Sequence, residues 1–240
     1  MKFPNPLLHG KLIKRYKRFM ADVVLDSGET VTAHCANSGS MLSVREPGSE
    51  VWLSPATNPD RKLKYTWEMI KIGEALVGVN TALPNKLVEE AILDGTITEL
   101  GGYDALKREV KYGVNSRIDI LLSNEDGTKC YVEVKNVTMR RDLSPGAPAD
   151  FPDGVTARGA KHLVELVDMV KEGHRAVMMY LIQRNDSESF TFADDIDPTY
   201  VEELTKAIAA GVEVIGYTCH LDTDEIRVTR RIEAIIPDIS

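Results

Sequence analysis

The chain has 240 residues, 43% hydrophobic and 28% charged, a globular composition that excludes a disordered chain and leaves room for one or two cores. No apolar run approaches the roughly 18 residues that span a membrane, and the N-terminus lacks the apolar stretch of a signal peptide, so a cytoplasmic protein with no membrane partner is expected. Net charge is −8, but residues 1–80 carry +3 and residues 81–240 carry −11, so only the first part has a field suited to a polyanion.

Three cysteines, Cys35, Cys130 and Cys219, occur without a CxxC pair, which indicates neither a disulfide framework nor a zinc site. The first 80 residues are rich in strand signals. VVL at 23–25, Asp26-Ser27-Gly28 and TVTAHC at 30–35 read as a hairpin. EVWL at 50–53, KLKYTWEMI at 62–70 and ALVGV at 75–79 add three short strands. Five such strands in about 80 residues suit a small closed β-barrel. Leu12, Tyr16, Phe19, Met20 and Val23 also fall at helical spacing, so periodicity leaves 11–24 open between helix and strand, with Val23, Val24 and the following turn favouring strand.

The pattern changes near residue 81. A helical run at 87–93 ends at Asp94-Gly95, and strands follow at about 107–112, 117–123 and 130–137. A proline-rich loop spans 144–154. Thr156 is placed to cap a helix whose apolar face reads Ala160, Leu163, Val164, Val167 and Val170. A buried-type strand at 176–182, a helix at 201–210 and a strand at 212–218 complete a mixed-sheet α/β unit. A division into residues 1–80 and 81–240 is therefore expected.

Glu133-Val134-Lys135 places an acid and a lysine on one face of a strand. If the strand holding Asp119 is its neighbour, Asp119 reaches the same spot. Two converging carboxylates are hard oxygen ligands suited to Mg²⁺ or Mn²⁺, and the lysine is placed to orient an attacking water. Asp119, Glu133 and Lys135 are thus catalytic candidates, the two acids being the metal ligands. Glu109 is a fourth candidate. A structural ion pair of Lys135 with either acid explains the same residues. Arg158, His162 and Glu165 form one helical stripe, with Arg158 and His162 candidates for holding a scissile phosphate; a solvated helix face is the alternative. Lys11, Lys14, Arg15, Lys17 and Arg18, with Tyr16 among them and Phe19 after, suggest a nucleic-acid grip of cations and a stacking aromatic. The alternative is a solvated basic strand with its aromatics in the core. Cys35 reads as a buried structural thiol rather than a nucleophile.

The strings KLIKRYKRFMADV, CANSGSM, EVKYGVNSRIDILL, CYVEVKNVT and FPDGVTARGAKHLVELV, running in order from about residue 7 to about residue 220, together resemble the sugar fermentation stimulation protein A (SfsA) family. The resemblance implies an α+β / α/β two-domain chain, an N-terminal OB-like β-barrel followed by a PD-(D/E)xK nuclease-like mixed α/β domain, and DNA as partner, with RNA left open. By position Asp119 matches the motif aspartate, Glu133 the second acid and Lys135 the motif lysine; Glu109 is a weaker match to an extra acidic position. The family name points to sugar metabolism. A fold does not by itself establish chemistry, so two functions stand side by side: a Mg²⁺- or Mn²⁺-dependent nuclease, and a regulatory factor that binds DNA without cutting it.

Overall fold

Residues of alternating burial build β1 (Leu8–Tyr16), β2 (Met20–Leu25), β3 (Thr30–His34) and β4 (Glu50–Pro55), while β5 (Tyr65–Ile72) is buried along most of its length. In the computed structural model, which describes residues 1–237, these five strands curl into a barrel. Antiparallel ladders join β3, β2, β1, β4 and β5 in that order, and the parallel bridge His34↔Thr66 closes β3 onto β5. The circuit β1-β2-β3-β5-β4 is that of an OB-type barrel. Leu12, Val23, Ala33, Val51, Leu53 and Trp67 fill it. The ambiguous segment 11–24 is the β1–β2 hairpin, not a helix. The strand expected at 75–79 is β6 (Ala75–Gly78), which extends the sheet beyond β5 rather than closing the barrel.

The rest of the chain forms an eight-stranded mixed sheet. In chain order its strands are β7 (Ala105–Tyr112), β8 (Ser116–Ser123), β9 (Lys129–Val137), β10 (Ala149–Phe151), β11 (Arg175–Ile182), β12 (Ser189–Phe192), β13 (Glu213–Leu221) and β14 (Ile226–Ile235). Across the sheet the order is β10-β12-β14-β13-β11-β9-β8-β7, with β11 parallel to both β9 and β13. Helix α1 (Pro84–Leu93) lays Leu87, Val88 and Ala91 on one face, against Ile120, Val132 and Val177. Helices α2 (Ala157–Lys171) and α3 (Pro198–Ala209) cover the other, where Leu163, Leu166, Tyr200 and Leu204 meet Met178, Tyr180 and Ile182. No described helix is long and apolar enough to cross a membrane.

The barrel and the large sheet are separate sheets that lean on each other. Met69 and the half-buried Trp52 of the barrel join the core under α1, and a bridge pairs Val77 with Arg184.

Helix α2 departs from the expected orientation. Thr156 does cap it, its hydroxyl accepting from Gly159 N at 2.9 Å. The buried residues, however, are Gly159, His162, Leu163, Glu165, Leu166 and Met169, while Val164 is exposed. The helix is rolled so that polar His162 and Glu165 face inward, because both find partners there.

Candidate active site

Strands β8 and β9 pair in register up to Ile120↔Val132 and then part. The next rung would set Asp119 opposite Glu133. In its place, Val134 N donates to Asp119 Oδ2 at 2.8 Å, and Asn85 Nδ2, from the first turn of α1, donates to Asp119 Oδ1 at 2.8 Å. The splaying opens the sheet at one point and turns a ladder position into a carboxylate site.

Glu133 is 2% exposed. Its Oε1 accepts from Lys135 Nζ at 2.8 Å and lies in close hydrogen-bond contact with His162 Nδ1, while its Oε2 is buried without a partner. Arg158 Nε donates to His162 Nε2 at 3.3 Å, which leaves the ring proton on Nδ1, facing Glu133. His162 is thus 3% exposed, with its Nδ1 edge on Glu133 rather than in solvent. Glu165, on the same inward face, accepts from Val114 N at 3.1 Å.

The electrostatics place the two acids within reach of each other. Burial, and after it the charge of Glu133, pushes Asp119 from 3.8 up to about 6. Burial also raises Glu133, but Lys135 and His162 outweigh it and hold that carboxyl below its ordinary value. Tyr112, whose buried hydroxyl has no partner, is pushed well up by burial and then by Glu133, Glu165 and Asp119.

A cleft of about 410 Å³ opens over this cluster. Asp119, Glu133, Lys135, Arg158 and His162 line it from the large sheet and α2, Asn85 from α1, and Asn37, Ser38 and Gly39 from the barrel. Among the described residues no group of three or more His, Cys, Asp or Glu is arranged to hold a metal ion. Two carboxylates are present, one with a free buried oxygen, so a hexacoordinate ion such as Mg²⁺ would complete its shell from water and substrate oxygens. The donor set fits such an ion: Asp119 and Glu133 line one cleft, and Glu133 Oε2 is buried there without a partner.

The remaining candidates are scattered. Glu109 is exposed, lies outside the cleft, and sits in left-handed backbone (φ 54°) at a gap in the β7–β8 ladder. Lys11, Lys14, Lys17 and Arg18 are exposed, Lys14 lying 3.8 Å from Asp22 and 5.2 Å from the Tyr16 ring centroid. Tyr16 donates to Asp22 at 3.0 Å. Arg15 faces inward, donating to the carbonyls of Asn37 and Gly39 at 2.9 Å each and of Ser40 at 3.3 Å. Phe19 is 46% exposed rather than in the core. Cys35 is buried, with Met41 Sδ 3.4 Å from its thiol, and burial raises its pKa. Asn85 and Asn37 carry no signal in the sequence. A lone asparagine makes no motif, and Asn85 meets a residue 34 positions away.

Residues 13–79 match the model of the SfsA N-terminal OB domain, and residues 82–225 match that of the sugar fermentation stimulation protein RE domain. The chain belongs to the sugar fermentation stimulation protein family. It is 58% identical to a sugar fermentation stimulation protein homolog of Rhodospirillum rubrum, over 99% of this chain and all of that one. A homolog from Paramagnetospirillum magneticum is 59% identical over 94% of each chain. The structure of Pyrococcus furiosus SfsA, solved in complex with Ca²⁺, superposes with a TM-score of 0.87 at 26% identity, covering 98% of both chains. The barrel, the sheet and their order along the chain are thus shared with that relative.

Proposed function

We propose that this family member holds DNA in the cleft between barrel and large sheet and hydrolyses a phosphodiester there, as a metal-dependent nuclease of the PD-(D/E)xK type. Residues 1–80 serve as the holding unit and 81–240 as the hydrolytic one. The observation that carries the reading is the meeting of Asp119, Glu133 and Lys135 on one cleft floor, with a buried, unpartnered oxygen on Glu133. The Ca²⁺ in the Pyrococcus furiosus relative supports a divalent ion in this family.

Asp119 and Glu133 would hold Mg²⁺ or Mn²⁺, which when bound polarises a phosphate oxygen and makes its water more acidic. Asn85 and Val134 N–H fix the Asp119 carboxylate, so neither oxygen has to reorganise. His162 and Lys135 share Glu133 Oε1 and leave Oε2 free. Lys135 spends one N–H on Glu133 and has two more to direct at the attacking water or a phosphate oxygen. Arg158, exposed at the start of α2, faces the same cleft and neutralises phosphate charge.

The test incubates the purified chain with single-stranded, duplex and branched DNA and with RNA, in Mg²⁺, Mn²⁺ or EDTA. Cleavage is expected with either ion and not in EDTA. Asp119→Asn and Glu133→Gln should lose both cleavage and the rise in melting temperature caused by Mn²⁺. Lys135→Ala should keep the Mn²⁺ effect and slow cleavage by at least roughly 100-fold, the low end of proton-transfer contributions. If Mn²⁺ stabilises none of them and nothing is cut, the cleft only binds.

A further inference from the structure

The cleft has a fastened rim. Barrel loop 37–41 crosses to the loop after β10, where the Ser40 hydroxyl donates to the Asp153 carbonyl and Met41 N donates to Asp153 Oδ2 at 2.8 Å. The loop is also pinned from its own side. Arg15 holds three of its carbonyls, and Asn37 Nδ2 donates to Val79 O at 3.1 Å. Gly39 lies so close to Asp153 that a Cβ would stand 2.9 Å from its carboxylate. These contacts make a fixed clasp rather than a mobile flap.

A second cavity, of about 550 Å³, lies against the clasp. It shares Ser38, Gly39, Phe151 and Asp153 with the catalytic cleft and adds Arg15 and Arg18. The two cavities thus share a rim at the clasp, and a path along them would run from Glu133 and Lys135 past Gly39 and Asp153 to Arg18, with cations at both ends. Arg18 belongs to the turn between β1 and β2, one of the loops by which OB-type barrels meet oligonucleotides. Lys17 and Arg18 both stand in left-handed backbone (φ 46° and 63°), as the tight hairpin turn between Tyr16 and Met20 requires. Phe19, the next residue, is 46% exposed, with its ring 6.4 Å from that of His34. Cations interleaved with an open aromatic face are the means by which barrels hold unpaired strands.

From this path we infer that the substrate is single-stranded DNA, lying from the Asp119–Glu133 cluster past the Gly39–Asp153 clasp to Arg18 and Phe19. A cleft of about 410 Å³ is the size of a small-ligand site, and it admits the backbone of one strand to a carboxylate that is 2% exposed. A double helix carries its phosphates on a stiff rod, whereas a flexible single strand can bend its backbone down to a carboxylate on the cleft floor. The inference rests on the proposed reading that this cleft is where DNA sits.

The experiment measures binding of the full chain to a labelled oligodeoxynucleotide and to its blunt duplex by fluorescence anisotropy. Salt is held constant, with EDTA or Ca²⁺ present and gels confirming that the strand stays intact. The single strand is expected to bind at least roughly 10-fold more tightly. Arg18→Ala and Phe19→Ala should each weaken single-strand binding by roughly 5-fold or more while barely changing the duplex. The double variant Ser40→Ala/Asp153→Asn, which loosens the clasp, should narrow the preference, and circular dichroism checks that it folds. Duplex binding as tight as single-strand binding overturns the inference and leaves the DNA reading standing. So does single-strand binding unchanged by both Arg18→Ala and Phe19→Ala, which stay informative if the clasp variant does not fold. Binding of neither DNA overturns both.

Discussion

Asp119 and Glu133 stand one rung beyond the last paired rung of β8 and β9, and the amide of Val134 donates to the Asp119 carboxylate where its strand neighbour would otherwise accept. The site is thus a controlled failure of the ladder. Up to Ile120↔Val132 the strands bury apolar residues and pair in register; past it, polar side chains take over the backbone's hydrogen-bonding duty. Two acids brought this close repel, and that repulsion has consequences for stability.

The first prediction concerns pH. Asp119 is raised from 3.8 to about 6, by burial first and Glu133 second. A raised carboxyl contributes stability that is present below pH 4 and is lost as pH rises through about 6, because the folded state binds the extra proton in that window. A rise of that size corresponds to on the order of 3 kcal/mol. Asp119→Asn removes this loss, but its amide accepts only one of the two hydrogen bonds, a cost of about 1 kcal/mol. In EDTA, the variant should be more stable than the parent at pH 7.5 and less stable at pH 3, below the ordinary carboxylate value, with the two crossing at about pH 4.5. Urea denaturation at pH 7.5 and pH 3 checks it, and a parent that keeps the advantage at pH 7.5 contradicts it.

The second prediction assigns His162 its work. Removing its ring takes a donor from a carboxylate that is 2% exposed, so His162→Ala should cost about 1–3 kcal/mol of stability. His162→Gln, whose amide donates in a similar direction, should recover part of that. A solvated helix face would tolerate both changes within about 0.5 kcal/mol. A positioning role adds a second readout, a weakened Mn²⁺-induced rise in melting temperature for His162→Ala that His162→Gln restores in part.

Much of this architecture is legible in the sequence. A strand period of two puts Glu133 and Lys135 on one face whatever the fold, and the spacing to Asp119 fits an antiparallel neighbour. The inward turn of His162 and Glu165 is not legible. Helical spacing says that residues share a face, and the usual preference then sends the polar stripe to solvent. Here Val114 and Glu133 supply the partners that reverse the preference, and Gly113, without a Cβ, leaves room for the Glu165 carboxylate; all three lie on other strands or the turns between them. β14 escapes a reading by pattern because IRVTRRIEAI mixes four charges into a strand that lies between β12 and β13, and β10 because three residues carry no period. The basic run reads correctly as exposed, except for Arg15, whose donors are taken up by a loop about 22 to 25 positions away.

The third prediction follows from the close approach at the clasp. Gly39 has no left-handed backbone to explain it; its reason is space, since an added Cβ meets Asp153 Oδ2 at 2.9 Å and Asn37 Oδ1 at 3.1 Å. Both atoms are already used, by Met41 N and by Gly39's own amide. Gly39→Ala must therefore displace one of them, at a cost of about 1–3 kcal/mol typical of overpacking. The expected outcome is a lower melting temperature together with looser single-strand selectivity. Unchanged stability would place the loop farther from Asp153 than these hydrogen bonds require.

The last prediction uses salt. Lys14, Lys17 and Arg18 are exposed at or beside the β1–β2 turn, whereas Arg15 is tied to loop carbonyls and would damage the clasp if removed. A cation that meets a phosphate releases counterions, so removing one such cation should flatten the dependence of log affinity on log salt by about 0.7 for a single strand. Lys14 shares its charge with Asp22 and should contribute least. The triple variant Lys14→Ala/Lys17→Ala/Arg18→Ala should thus lower the slope by about 1.5 to 2 and weaken binding alike for all sequences. Its melting temperature should stay close to the parent's, because exposed side chains away from a packed core change stability little. A slope that does not move, in a folded variant, takes the basic turn out of the DNA path and leaves Lys135 and Arg158 as the cleft's cations.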